Sequence, residues 1–82
     1  MKILYFAWLR EKVGVPYEEK DVKAVTVKEL IQELVEVDEK YAIAFSDLKS
    51  IRVAVDQKLV QDFATSIKNA KEIAFFPPMT GG

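Results

Sequence analysis

Only one long stretch of this 82-residue chain repeats its apolar residues at helical spacing, and this limits the fold more than any other feature. Thr26 can cap a helix that begins at Val27, and Glu29 completes a capping box. The apolar positions that follow form one stripe, at Val27, Leu30, Ile31 and Leu34, with Tyr41 as a further member. One such helix can cover one face of a sheet but not both.

Five short segments have the alternation or the β-branched and aromatic composition of strands. We predict strands at residues 2–9, 17–22, 51–55, 59–60 and 71–76, with the first two paired antiparallel. Residues 10–14, the Gln57-Lys58 pair and Asn69 carry the turn signals. Residues 38–49 are less periodic, and we expect at most a short helical turn at 41–45. The order of elements predicts one α+β domain.

The predicted sheet has apolar residues on both faces. The face toward the helix is predicted to carry Ile3, Tyr5, Val53, Val55, Ile73 and Phe75, and the other face Leu4, Phe6, Trp8, Ala54, Ala74 and Phe76. An uncovered apolar patch usually marks an interaction surface. The alternatives are that residues 41–49, or a second copy of the chain, fold over it. Trp8 fits either the edge of this patch or the core.

The composition excludes most catalytic mechanisms. The chain has no cysteine and no histidine, so thiol nucleophiles, imidazole bases and the usual zinc ligands are missing, and we expect no metal or cofactor bound by this chain. A net charge of −1 offers no broad attraction to nucleic acid or to a membrane surface. The first apolar run is too short for a membrane span and lacks a cleavage pattern, which predicts a cytoplasmic protein.

The last nine residues, AFFPPMTGG, contain two of the three glycines directly after a proline pair. Because proline cannot donate to a β-ladder, we predict a domain at residues 1–76 and a flexible tail at 77–82 that ends in Gly81-Gly82. From Pro77 the tail could extend roughly 20 Å, at about 3.3 to 3.6 Å per residue. A terminal carboxylate resists nucleophilic attack, so chemistry there requires activation, for example as an acyl-adenylate made by a partner. Sulfur could then replace one oxygen to give a thiocarboxylate.

The chain resembles the small, sulfur-carrying subunits of molybdopterin synthases, which belong to the ubiquitin-like β-grasp family. The most specific segment is AFFPPMTGG at 74–82, supported by FAWLRE at 6–11, AVDQKLV at 54–60 and the approach to the last strand at 69–73. The resemblance implies a β-grasp fold with a mixed sheet and one main helix packed on one face. It also implies that Gly82 carries the thiocarboxylate and that Gly81 enters the large subunit with it, where sulfur passes to cyclic pyranopterin monophosphate.

Partners and contact residues also follow from the resemblance. The implied partners are a large subunit, in a heterotetramer of two small and two large chains, an ATP-using adenylyltransferase of the ubiquitin-activating type, and a sulfurtransferase. The implied contact residues are Phe6, Arg10, Leu59 and Phe76 on the domain and Pro77, Met79 and Thr80 on the tail. Phe6 and Phe76 also follow from strand alternation, whereas Leu59 does not.

Two departures from the family pattern bear on turn geometry. Asp56 occupies a position that is commonly asparagine, and Asn69-Ala70 replaces a usual Asp-Gly pair. Two alternative functions use the same activated Gly82. One is a protein modifier joined to lysines of target proteins, and the other is a sulfur carrier for thiamin, which the FFPP segment disfavours.

Overall fold

The computed structural model describes residues 1–78 and contains a five-stranded mixed sheet with helices on one face. In chain order the elements are β1 (Lys2–Tyr5), α1 (Ala7–Val13), β2 (Tyr17–Glu19), α2 (Val27–Val37), α3 (Glu39–Ala44), a 3₁₀ turn (Leu48–Ser50), β3 (Arg52–Val55), β4 (Lys58–Val60) and β5 (Glu72–Phe76). The strand order is β2-β1-β5-β3-β4, with β1 parallel to β5 and all other neighbours antiparallel. The predicted α+β fold, a β-grasp with one main helix on one face, is confirmed.

The longest helix, α2, forms as the capping signal predicts. Thr26 accepts a hydrogen bond from the backbone N–H of Glu29 at 3.2 Å, and the Thr26 hydroxyl donates to the Glu29 carboxylate at 3.1 Å. Its apolar stripe is buried against the sheet, at Val27, Leu30, Ile31 and Leu34. None of the helices within residues 1–78 is long and apolar enough to cross a membrane.

The segment that follows α2 packs on the same side of the sheet. Asp38 caps α3 by accepting the N–H of Lys40 at 2.9 Å, and Tyr41 and Phe45 are buried. The Phe45 ring meets the Phe75 ring edge to face, with 4.9 Å between ring centroids. The alternative in which residues 41–49 cover the opposite face is therefore wrong, and the helical turn predicted there is a helix of six residues.

The prediction for residues 6–14 is also wrong, because this segment contains a helix rather than the end of a strand and a turn. β1 ends at Tyr5, and α1 buries Leu9 and Val13 on one side. Gly14 ends the helix with φ +96°, and its N–H donates to the carbonyl of Arg10 at 2.8 Å. Trp8 lies on this helix, half-buried against the core, and not on the outer face of the sheet.

The remaining differences concern turns and strand ends. β2 pairs antiparallel with β1 as predicted but ends at Glu19. The tip of the β3–β4 hairpin is Asp56-Gln57, with φ +48° and +70°, one residue before the predicted pair. These two positive φ values are typical of a type I′ turn. Asn69, with φ +66°, occupies the predicted turn before β5.

Candidate functional site

The sheet face that points away from the helices, called the open face below, carries an apolar row across all five strands. Residues paired directly across neighbouring strands point to the same face of a sheet. Tyr17 is paired with Leu4, Leu4 with Ala74, Ala74 with Ala54, and Ala54 with Leu59. Four strand spacings of about 4.8 Å give this row a width of about 19 Å.

Large apolar side chains on the open face are accessible to a partner. Leu59 is 57% exposed, Tyr17 54% and Phe6 47%, and Leu4 and Phe76 are half-buried. Ala54 and Ala74 lie between Leu4 and Leu59 in this row, so the middle of the open face carries only small side chains. Exposed apolar patches of this kind usually mark a protein–protein contact surface.

A second group of residues lies at the end of the open face where β5 ends. Phe6 has extended backbone dihedrals, φ −119° and ψ 154°, and its N–H donates to the carbonyl of Phe75 at 3.1 Å. It therefore continues the alternation of β1 and points to the same side as Leu4. On β3, which lies on the other side of β5, Arg52 is paired with Phe76, the last residue of β5. Pro77 follows Phe76 directly, so Phe6, Arg52 and Phe76 occupy the backbone positions next to the base of the predicted tail.

Backbone strain is present beside Phe6. Ala7 has φ +54°, in the left-handed region that residues with a Cβ seldom adopt. This residue turns the chain from β1 into α1 within a single step. Strain of this type tends to persist where the surrounding structure needs a particular geometry. Ala7 is the first residue of α1, so the positive φ lies directly between the exposed Phe6 and the rest of the helix, which carries Arg10.

The structure brings together three of the residues implied as contacts and places a fourth elsewhere. Phe6, Leu59 and Phe76 share the open face. Arg10 is exposed on α1 rather than on the sheet. Pro77 is half-buried beyond β5. The predicted tail residues Met79, Thr80, Gly81 and Gly82 lie outside the described residues.

Two residues of the open face were not predicted from the sequence. Tyr17 begins the second predicted strand, for which no facing was predicted, and its place on the open face follows from the pairing with Leu4. Arg52 shares strand parity with Ala54, which is the signal that could have found it, but a charged residue was not expected on an apolar face. The Arg52 Nη1 donates to the carbonyls of Lys49 and Ile51 at 3.0 and 3.1 Å.

A hydrogen-bonded cluster on the helix side has a different character. Tyr5 and Tyr41 are each 1% exposed and donate to the same carboxylate, that of Glu18. Burial, together with the hydrogen bond to Glu18 and its negative charge, raises the pKa of both tyrosines well above the ordinary value. Both phenols therefore stay protonated at neutral pH and act as hydrogen-bond donors within the fold.

Comparison with known proteins gives relatives that match over the whole chain. The chain is 39% identical over 82 residues to the molybdopterin synthase sulfur carrier subunit of Escherichia coli, and 35% identical over 82 residues to that of Haemophilus influenzae. Each alignment covers 100% of this chain and 99% of the relative.

Solved structures show the same fold. The crystal structure of SAMP1 from Haloferax volcanii has a TM-score of 0.72 at 24% identity and covers 100% of this chain and 98% of its own. A Pyrococcus furiosus protein assigned as subunit 1 of a molybdopterin converting factor has a TM-score of 0.72 at 27% identity, with 95% of each chain covered. The sequence pattern of the ThiS family matches residues 3–82, and the chain belongs to this family.

Proposed function

We propose that this chain is the sulfur-carrier subunit of a molybdopterin synthase and that Gly82 carries the sulfur. The observation that supports this best is the position of Phe6 and Phe76 on an exposed apolar face, at the point where β5 gives way to the Pro77-Pro78 pair. A carrier needs a docking surface next to the base of the segment it delivers. Full-length relatives named as molybdopterin synthase sulfur carrier subunits support the same assignment.

The chemistry takes place at the carboxyl group of Gly82, and other proteins catalyse it. An adenylyltransferase of the ubiquitin-activating type would use ATP: the carboxylate attacks the α-phosphate, and pyrophosphate leaves. Sulfur supplied by a sulfurtransferase at the hydrosulfide level then displaces AMP from the acyl carbon and leaves a thiocarboxylate. Its sulfur attacks a carbon of cyclic pyranopterin monophosphate and displaces an oxygen substituent from that carbon, and hydrolysis of the resulting thioester returns the carboxylate. Two such transfers, each from one thiocarboxylate, supply the two sulfurs of the dithiolene.

Docking and delivery use separate parts of the chain. The open face would bind the large subunit of the synthase, in an assembly of two small and two large chains. Pro77 and Pro78 have no backbone N–H and a fixed φ, so the segment after Phe76 cannot continue the β-ladder. Directing an extended segment into a pocket of the large subunit brings the thiocarboxylate to the substrate as a proximity effect. This division explains why the domain itself needs no catalytic acid or base.

Reconstitution from purified components tests the proposal. The chain is incubated with its adenylyltransferase, ATP and a sulfur donor, and intact-mass measurement should show one oxygen replaced by sulfur. Addition of the large subunit and cyclic pyranopterin monophosphate should then yield the dithiolene product.

A variant lacking Gly82 is the matched control for this reconstitution. It should fold and bind the large subunit as the full chain does, but transfer no sulfur. Gly82 recovered in isopeptide linkage to other proteins, without any thiocarboxylate, would instead identify a protein modifier. Sulfur transfer by the variant lacking Gly82 would contradict the role of this residue.

A further inference from the structure

We propose that the docking surface continues from the open face around the β4 edge into a groove beside Arg52. There Arg52 pairs with a carboxylate of the large subunit, and an adjacent apolar side chain of that subunit fills the groove. This inference rests on the proposed function, because it takes the large subunit as the partner of the open face.

The groove lies between the 3₁₀ turn and the β3–β4 hairpin and has a volume of about 360 Å³. Its lining combines the apolar side chains of Leu48, Leu59, Val60 and Phe63 with the polar Gln61 and the charged Arg52. Leu48 is 38% exposed and Leu59 57% exposed, so both are accessible from solvent. Leu59 belongs to the groove and to the apolar row of the open face, and this shared residue makes the two surfaces continuous.

The guanidinium group of Arg52 is held in place by hydrogen bonds and has no ion-pair partner among residues 1–78. Its Nη1 donates to two backbone carbonyls, those of Lys49 and Ile51. The ion pairs found within residues 1–78 join other groups and do not include Arg52. A guanidinium carries five N–H donors in a planar fork that suits a carboxylate. Because the side chain is already anchored, little conformational entropy is lost when it pairs with a partner.

The position of Arg52 gives this contact a role in delivery. Arg52 is paired with Phe76 across the sheet, so a carboxylate bound by Arg52 is held by the residue next to the last position before Pro77. An ion pair at that point fixes the partner relative to the base of the tail. It also selects against partners that present a basic residue there, because a like charge is costly at an interface.

Calorimetric titration of the large subunit from the same organism into the full chain tests the inference at low and high salt. Arg52→Gln keeps a donor for the backbone carbonyls but removes the charge, and should weaken binding about fivefold at low salt. Arg52→Glu should weaken binding by more than about tenfold. The affinity of both variants should depend less on salt than that of the wild type. Arg52→Lys should retain the salt dependence. Leu48→Ser should weaken binding a few-fold, roughly, without changing its salt dependence.

Lys68→Glu is the charge-matched control, because Lys68 is exposed in the loop before β5, at the other end of that strand from Phe76. It should bind like the wild type, and thermal unfolding of every variant separates lost contacts from lost folding. Wild-type affinity of Arg52→Gln and Arg52→Glu, with weaker binding by Phe76→Ala, would overturn this inference and leave the proposed function intact. If Phe76→Ala also binds normally, or the wild type does not bind, the proposed function fails as well. A different result would assign the groove to a second copy of the chain. In that case the wild type sediments as a dimer, Arg52→Glu does not, and both bind the large subunit equally well.

Discussion

Tyr5 and Tyr41 donate hydrogen bonds to the same atom, Oε2 of Glu18, at 2.8 and 2.6 Å. Tyr5 comes from β1 and Tyr41 from α3, and Glu18 lies on the edge strand β2. The single carboxylate therefore joins the edge of the sheet to the helical layer. Lys20, with Nζ 3.9 Å from the other carboxylate oxygen, offsets part of the negative charge.

Removing the Glu18 carboxylate should destabilise the fold. In Glu18→Ala, two tyrosine hydroxyls that are shielded from water lose their acceptor, which should lower the free energy of unfolding by about 2–3 kcal/mol. Urea denaturation monitored by circular dichroism measures the change. Glu19→Ala is the control, because Glu19 is exposed on the same strand and its ion pair with the N-terminus, at 3.8 Å, should contribute less than about 1 kcal/mol. Equal losses in the two variants would show that the shared acceptor is not important.

The tyrosine pair also predicts how stability changes at alkaline pH. The pKa values of Tyr5 and Tyr41 are raised in the folded state, so unfolding lets both phenols lose their protons more easily. Their contribution is fully present below the ordinary tyrosine pKa of about 10 and is lost as the pH rises above it. The melting temperature should therefore fall more steeply above about pH 10 in the wild type than in a Tyr5→Phe/Tyr41→Phe variant. Parallel curves for the two proteins would contradict the prediction.

The sequence was sufficient for α2 and for the alternation within β1 and β5, because capping and alternation act over a few residues. It failed at α1, where the apolar alternation of residues 2–9 suggested one strand. The chain leaves that strand at Ala7 through a positive φ, without the glycine that normally marks such a step. A second signal was present, since Leu9 and Val13 are four residues apart and Gly14 follows as a C-cap.

Only part of the open face could be predicted. Strand parity predicted that both Phe6 and Phe76 lie on it, because the facing of each residue follows from the alternation within its own strand. Leu59 and Tyr17 belong to short edge strands, and their facing depends on register with β3 and β1. Register comes from pairing across the sheet, which no single segment encodes. The same long-range information was needed to see that Arg52 lies beside Phe76.

The β3–β4 hairpin forms with aspartate at position 56, where the family commonly has asparagine. The Oδ1 of Asp56 accepts the backbone N–H groups of Lys71 and Glu72 at 2.8 and 3.0 Å, which fastens the β3–β4 turn to the start of β5. Asp56→Asn keeps this oxygen and should change stability by less than about 0.5 kcal/mol. Asp56→Ala leaves both N–H groups without this acceptor and should lower the free energy of unfolding by about 1–2 kcal/mol, measured by urea denaturation. A large loss in the asparagine variant would mean that the charge, rather than the acceptor, holds the turn.

The next residue of the same turn offers a stabilising substitution. Gln57 has φ +70°, which is unfavourable for a residue with a Cβ. Gln57→Gly removes that strain and should raise the free energy of unfolding by about 0.5–1 kcal/mol despite the greater freedom of the unfolded chain. Lys58→Gly, one residue later within β4, should instead destabilise the protein. A fall in the melting temperature of Gln57→Gly would contradict the turn geometry.

Leu59 provides the cleanest separation of docking from folding. Its side chain is 57% exposed on the open face, so Leu59→Ala should change the free energy of unfolding by less than about 0.5 kcal/mol. Burial against the large subunit should make the same change cost about 1–2 kcal/mol in binding, close to a tenfold loss of affinity. Val37→Ala is the matched control, because Val37 is 66% exposed at the end of α2, on the opposite side of the sheet. Titration calorimetry should show weaker binding only for Leu59→Ala, and an equal effect of both variants would place the docking surface elsewhere.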